Sequence, residues 1–80
     1  MNLIASSPVI PATTYTLAHC VVIRENDKEY VVHMKTWSED GTIGYHTGNY
    51  FQKRDNPREA LLAAFEKFVE RARRTLEVTD

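Results

Sequence analysis

Apolar and polar positions first alternate along the chain and later recur at helical spacing, with turn residues marking each change. Tyr15–Arg24 and Lys28–Trp37 are rich in β-branched and aromatic residues, as strands require. Between them lies Glu25-Asn26-Asp27-Lys28, whose central Asn-Asp pair tolerates the backbone of a tight hairpin. Ser38-Glu39-Asp40-Gly41-Thr42 follows Trp37, and its Asp-Gly pair is a strong hairpin signal before a third strand at Ile43–Phe51. The pattern then changes period. Asn56 is a suitable N-cap, Pro57 suits the first helical position, and Glu59 stands where a capping box needs it. Ala60 to Glu77 is full of helix formers, and Leu61, Phe65, Phe68, Ala72 and Leu76 form a stripe that Leu62 and Val69 widen. The expected fold is α+β: a three-stranded antiparallel meander on one long C-terminal helix, with residues 1–14 as an extended arm and 15–80 as a single domain.

The two turns imply a register. With Asn26-Asp27 and Asp40-Gly41 as loop pairs, Ile23 faces Tyr30, Val21 faces Val32, His19 faces Met34 and Thr36 faces Tyr45. Together with Leu17 and Ile43 these residues make the face expected to receive the helix. The opposite face carries Ala18, Cys20, Val22, Val31, His33, Lys35, Trp37, His46 and Tyr50, too apolar for a sheet face left in water. Two covers are open, the N-terminal arm or a second chain, and Val22, Val31, Trp37 and Tyr50 would carry a self-association.

Composition narrows the chemistry. Eighty residues make one small domain, modestly stable alone, which a partner or self-association would help. A net charge of −1 argues against a bulk basic nucleic-acid binder and against a polyanionic DNA mimic. The single cysteine, Cys20, cannot close an internal disulfide, which points to a reducing compartment. Residues 1–14 carry no charged side chain and are interrupted by Pro8 and Pro11, unlike a signal peptide. The expectation is a soluble intracellular protein.

No constellation for catalysis, metal or cofactor stands out. Cys20, His33 and His46 share the second face in this register, but no fourth ligand or zinc spacing accompanies them. The serines, Ser6, Ser7 and Ser38, fall in the arm and a turn, and Gly41, Gly44 and Gly48 form no phosphate loop. Lys53, Arg54, Arg58, Arg71, Arg73 and Arg74 could meet phosphates, with Tyr50 or Trp37 stacking on a base. Over residues 52–80, however, seven cations are interleaved with six carboxylates, which reads as a salt-bridged, solvated helix face. Acidic bias is local: Glu25, Asp27 and Glu29 gather at one hairpin turn, Glu39 and Asp40 at the other.

A short single domain, an antiparallel sheet with a helix, near-neutral charge and no catalytic set together resemble small phage-encoded anti-CRISPR proteins, most of all inhibitors of type I-C systems. The likeness spans the whole chain, including Met1-Asn2-Leu3-Ile4-Ala5 and Trp37-Ser38-Glu39-Asp40-Gly41, and carries no shared motif. The resemblance implies a stoichiometric inhibitor in the bacterial host cytoplasm, without enzymatic activity or cofactor. It would bind Cas proteins of the type I surveillance complex (Cascade) and block target DNA. On that reading Glu25, Asp27, Glu29, Glu39, Asp40, Trp37 and Tyr45 are the candidate partner contacts, and direct nucleic-acid binding is not expected. An alternative resemblance, through Asn56-Pro57-Arg58-Glu59-Ala60-Leu61 at the helix start, is to antitoxins built of three strands and a helix. A plain dimeric accessory protein is a third reading.

Overall fold

A computed structural model describes residues 1–77; Val78–Asp80, the end of the expected domain, lie outside the described residues. The order is β1 (Asn2–Ser6), β2 (Ala18–Glu25), β3 (Glu29–Trp37), β4 (Ile43–Gln52) and α1 (Pro57–Glu77). All four strands form one antiparallel sheet in the order β1-β2-β3-β4, with α1 across one face.

The α+β class and the C-terminal helix match the expectation, but the sheet has four strands rather than three. Part of the arm is itself the added strand. Asn2–Ser6 pairs with the edge that β2 would otherwise leave open, with a bulge at Ile4. Beyond it, the Ser7 N–H donates to the Val21 carbonyl and the Val21 N–H donates to Ser7 Oγ, both within hydrogen-bond reach at 2.8 and 2.9 Å. Ile10 then bridges to His19. Nothing in Asn-Leu-Ile-Ala-Ser alternates clearly; the strand exists because β2 offers unpaired backbone groups. The first expected strand is correspondingly shorter, since Thr13–Thr16 closes a turn and leaves Tyr15 93% exposed.

The core is the helix-side face of the sheet. Val21, Ile23, Tyr30 and Val32 are buried against Ala60 and Ala64, with Ile4, Met34, Phe51, Leu61, Phe65 and Phe68 closing around them. The two alanines let the helix backbone approach the sheet, and Phe65 meets Phe68 edge to face at 6.4 Å. Asn56 caps the helix as expected, its Oδ1 accepting the Glu59 N–H at 3.2 Å. The stripe is wider than the sheet can cover, however, and Leu62, Val69 and Leu76 remain at the surface.

The register departs from expectation in two ways. At the first turn Asp27-Lys28, not Asn26-Asp27, is the central pair, because Asn26 Oδ1 accepts the N–H groups of both Lys28 and Glu29. Ile23 therefore faces Val32 and Val21 faces Met34. Each partner changes by two residues, so every side chain keeps its expected face. At the second turn Ser38–Thr42 closes as a longer loop, with Gly41 at φ 86° and Asp40 Oδ1 accepting the Thr42 N–H. That extra residue shifts the register by one. Thr36 faces Gly44, Lys35 faces Tyr45, Trp37 faces Ile43 and Met34 faces His46. Tyr45 and Ile43 therefore lie on the open face, and His46 moves to the helix side.

A β-bulge restores the parity. Between the Met34–His46 and Val32–Asn49 pairs, His33 faces two residues, Thr47 and Gly48, with Thr47 at φ 54°. Beyond the bulge Val31 faces Tyr50 and Tyr30 faces Phe51, so Tyr50 keeps its expected side. Arg71 of the helix fills the irregularity, donating to the carbonyls of Val32 (3.0 Å) and Thr47 (2.6 Å) and to Asn49 Oδ1 (3.0 Å). Expected on the solvated helix face, Arg71 is instead a structural strut.

Candidate binding face

The sheet face turned away from the helix holds most of the residues singled out by the sequence. Cys20, Val22, Val31 and His33 lie at its floor and are buried. Above them stands a layer of rings and cations. The Arg24 guanidinium sits 3.9 Å over the Tyr45 ring, Tyr45 stacks on His33 at 4.9 Å, and Lys35 lies 4.9 Å over Trp37. Tyr50 lies along the sheet above Gly48, where an added Cβ would meet its ring at 2.9 Å. The N-terminal arm extends the sheet edge as β1, and Ile10, Pro11, Ala12 and Thr13 border a cleft on the helix side.

Exposure then separates the four residues expected to carry self-association. Val22 and Val31 are covered within the chain, flanked on their own face by longer side chains, and offer packing rather than contact surface. Tyr50 is 63% exposed and Trp37 is half-buried. Tyr45 at 41% and Ile43 at 48% exposed join Trp37 through the shifted β4 register.

The acidic candidates divide between the two ends of β3, roughly 30 Å apart. At one end Glu25 is committed to Lys53 at 2.9 Å, and Glu29 accepts from Gln52 Nε2 at 2.8 Å; Asp27 is exposed at the turn. The hydrogen bond to Glu25 holds the Lys53 ammonium above its ordinary pKa, and the same ammonium lies over Tyr30. At the other end Glu39 is exposed, while Asp40 belongs to its own turn. Hydrogen bonding from Thr42 holds the Asp40 carboxyl below its ordinary value. Of the seven candidate partner contacts, Trp37, Glu39, Asp40 and Tyr45 gather at one end, and Glu25, Asp27 and Glu29 form a separate group.

The three groups weighed as metal ligands are not assembled. Cys20 faces Lys35, His33 faces the bulge, and His46 lies on the other side of the sheet, its Nε2 3.0 Å from Thr36 Oγ1. Burial pushes the Cys20 thiol above its ordinary pKa and so keeps it protonated. Burial, followed by the positive charges of Arg24 and Arg71, lowers His33 to about 4. The neutral imidazole stacks on Tyr45 and leaves its buried Nε2 without a hydrogen-bond partner. On the helix side a cleft of about 690 Å³ opens between the arm and the end of α1, lined by Ile10, Thr13, His19, Met34 and Arg74 among others. Within it the His19 Nδ1 lies 2.7 Å from the Leu17 carbonyl, a contact that orients the ring.

The open face is thus a relief of aromatic rings, Tyr45 braced by Arg24 and Trp37 by Lys35, ending in a carboxylate-bearing turn. Sequence reasoning missed Arg24 and Lys35 as the braces, and the Tyr45–Trp37 grouping depended on a loop length that Asp-Gly alone does not specify. No helix among the described residues is long and apolar enough to cross a membrane. No family model, curated protein or solved structure matches this chain.

Proposed function

We propose that the chain acts by stoichiometric protein binding, as an inhibitor of the type I RNA-guided surveillance complex that keeps target DNA from docking. One observation supports this reading most: Trp37, Ile43 and Tyr45 lie on the open face beside the Glu39-Asp40 turn. Rigid aromatic anchors next to carboxylates are a good match for a protein surface that offers lysine and arginine to nucleic acid. The rings of Trp37 and Tyr45 each already carry a cation, which leaves less room for base stacking and favours a protein partner. With a net charge of −1, docking on a few basic residues suits the chain better than wholesale mimicry of DNA.

The test is target-DNA binding by a purified type I-C surveillance complex, with and without the protein in modest excess. The expected result is loss of DNA binding together with co-elution of inhibitor and complex. Trp37→Ala and Glu39→Lys should weaken co-elution, and the protein alone should leave single-stranded DNA unbound. DNA binding that persists without co-elution would overturn the reading for that system.

A further inference from the structure

The uncovered side of α1 is not a random solvated surface. Leu62 is 65% exposed and Val69 49%, they are seven residues apart, and Leu76 continues the same spacing. Leu62, Val69 and Leu76 supply one of the two apolar positions per heptad by which helices pack along each other, a narrow seam. Phe65 borders the stripe, and a shallow groove runs beside it. The sheet has taken Ala60, Ala64 and Phe68, so this stripe faces away from the domain's own core.

Charge selects the occupant. Glu66 and Arg73 lie on the stripe on either side of Val69 and make no hydrogen bond or ion pair among the described residues. Their neighbour Glu70 is already neutralised, by Lys67 and by Arg74, each at 3.1 Å. Suppose a second copy lies antiparallel, with the two Val69 side chains meeting at the two-fold axis. Glu66 is three residues before Val69 and Arg73 four after it, so Glu66 falls within roughly 1.5 Å along the axis of the partner's Arg73. Symmetry makes that ion pair twice. The charged residue brought nearest its own copy, Glu70, is the one whose charge is already met. A parallel pair would instead set Glu66 against Glu66 and Arg73 against Arg73. The pattern is self-complementary in one orientation only.

We propose that this helix face binds a second copy of the chain, as an antiparallel two-fold pair of α1 helices centred on Val69. The open sheet faces then point outward and remain available to a target. One pair of helices is a small interface, so dissociation falls at roughly 10–100 µM.

Sedimentation equilibrium of the full chain, from about 10 µM to about 1 mM, tests this without any other component. The expected mass rises from 9.2 kDa toward twice that value. Val69→Lys should hold it at the monomer. E66R and R73E should each weaken the dimer about 5–10-fold, and the E66R/R73E double variant should restore it to within about 3-fold of wild type. Circular dichroism of each variant establishes that it is folded; if V69K is not, the charge exchange decides alone. A wild-type chain that stays monomeric throughout, a dimer that survives V69K in a folded chain, or a double variant no better than the single ones would each overturn the proposal. These readouts do not involve the surveillance complex, so they stand or fall apart from the inhibitor reading.

Discussion

The Arg71 guanidinium donates to the Thr47 carbonyl at 2.6 Å, and through this contact the helix holds the one break in the β3–β4 ladder. A bulge leaves backbone groups without ladder partners, and buried orphans of that kind cost about 1–3 kcal/mol each. Here a charged, planar donor reaches two carbonyls and the Asn49 side chain at once. Burial lowers the Arg71 pKa, with a smaller contribution from Arg74.

Replacing Arg71 by methionine should therefore cost far more than a surface arginine would. The expected loss is about 2–3 kcal/mol in urea denaturation, with Arg71→Lys intermediate because an ammonium keeps the charge but ends a shorter stem than the Nη1 that makes all three bonds. A loss under about 0.5 kcal/mol would mean that water serves the bulge equally well.

Thr47 occupies a left-handed conformation, φ 54°, that a β-branched residue adopts only under strain. Thr47→Gly should raise stability by about 0.5–1 kcal/mol, relief of strain outweighing the added freedom of the unfolded chain. The carbonyl that Arg71 needs is unchanged, so R71M should cost as much in T47G as in wild type; a chemical-denaturation cycle of the four chains measures this.

His33 makes stability depend on pH. The unfolded chain protonates this imidazole near 6.5, whereas the folded chain resists until about 4. Between those values the folded form holds fewer protons, so stability is full above pH 6.5 and falls as the pH drops toward 4. The slope is at most about 1.4 kcal/mol per pH unit. Asp40 and Glu70, both held below their ordinary values, add their own losses at lower pH. His33→Phe keeps the ring under Tyr45 and removes the unpaired nitrogen. Its melting temperature should be flat between pH 6.5 and 5, where that of the wild type declines.

The junction after β1 rests on Ser7. Ser7→Ala removes the acceptor for the buried Val21 N–H and should cost about 1–2 kcal/mol. Hydrogen exchange should accelerate at Val21 and Ser7 more than at Val31 or Val32. Equal acceleration everywhere would mean that the arm and the sheet open as one unit.

Adjacent carboxylates at the second turn should behave differently. Asp40→Ala removes the bond to the Thr42 N–H and should lower the melting temperature measurably. Glu39→Lys should leave the melting temperature within a degree or two and act only on target binding. A Glu39 variant that binds the surveillance complex as well as wild type would remove this turn from the proposed contact.

The chain's own pattern was enough to locate the helix, its cap, three strands and both hairpins, because each carries a local signal: Asn56-Pro57, Asp40-Gly41, alternating valines. The faces of β2 and β3 were legible too, since displacing the first turn by one residue changes partners by two and leaves parity intact. β1 was not, because its identity comes from the vacant edge of β2. Nor was the placement of Tyr45. Asp-Gly suits a two-residue loop and a longer one equally, and only the closing bond from Ser38 to Thr42 decides. Arg71 looked like one cation among several because its partners are backbone carbonyls, which no sequence pattern reveals.

The bulges have a consequence for how the sheet meets other molecules at its margins. A four-stranded sheet has two free edges, and a straight free edge is a template on which another chain can add and polymerise. Here β4 is interrupted at Thr47–Gly48 and β1 at Ile4, with Pro8 close behind. An incoming strand could zip along Ile43–His46 or Asn49–Gln52 but would lose register on crossing between them. By bonding the carbonyls at the β4 irregularity, Arg71 holds that interruption in the edge an added strand would have to follow.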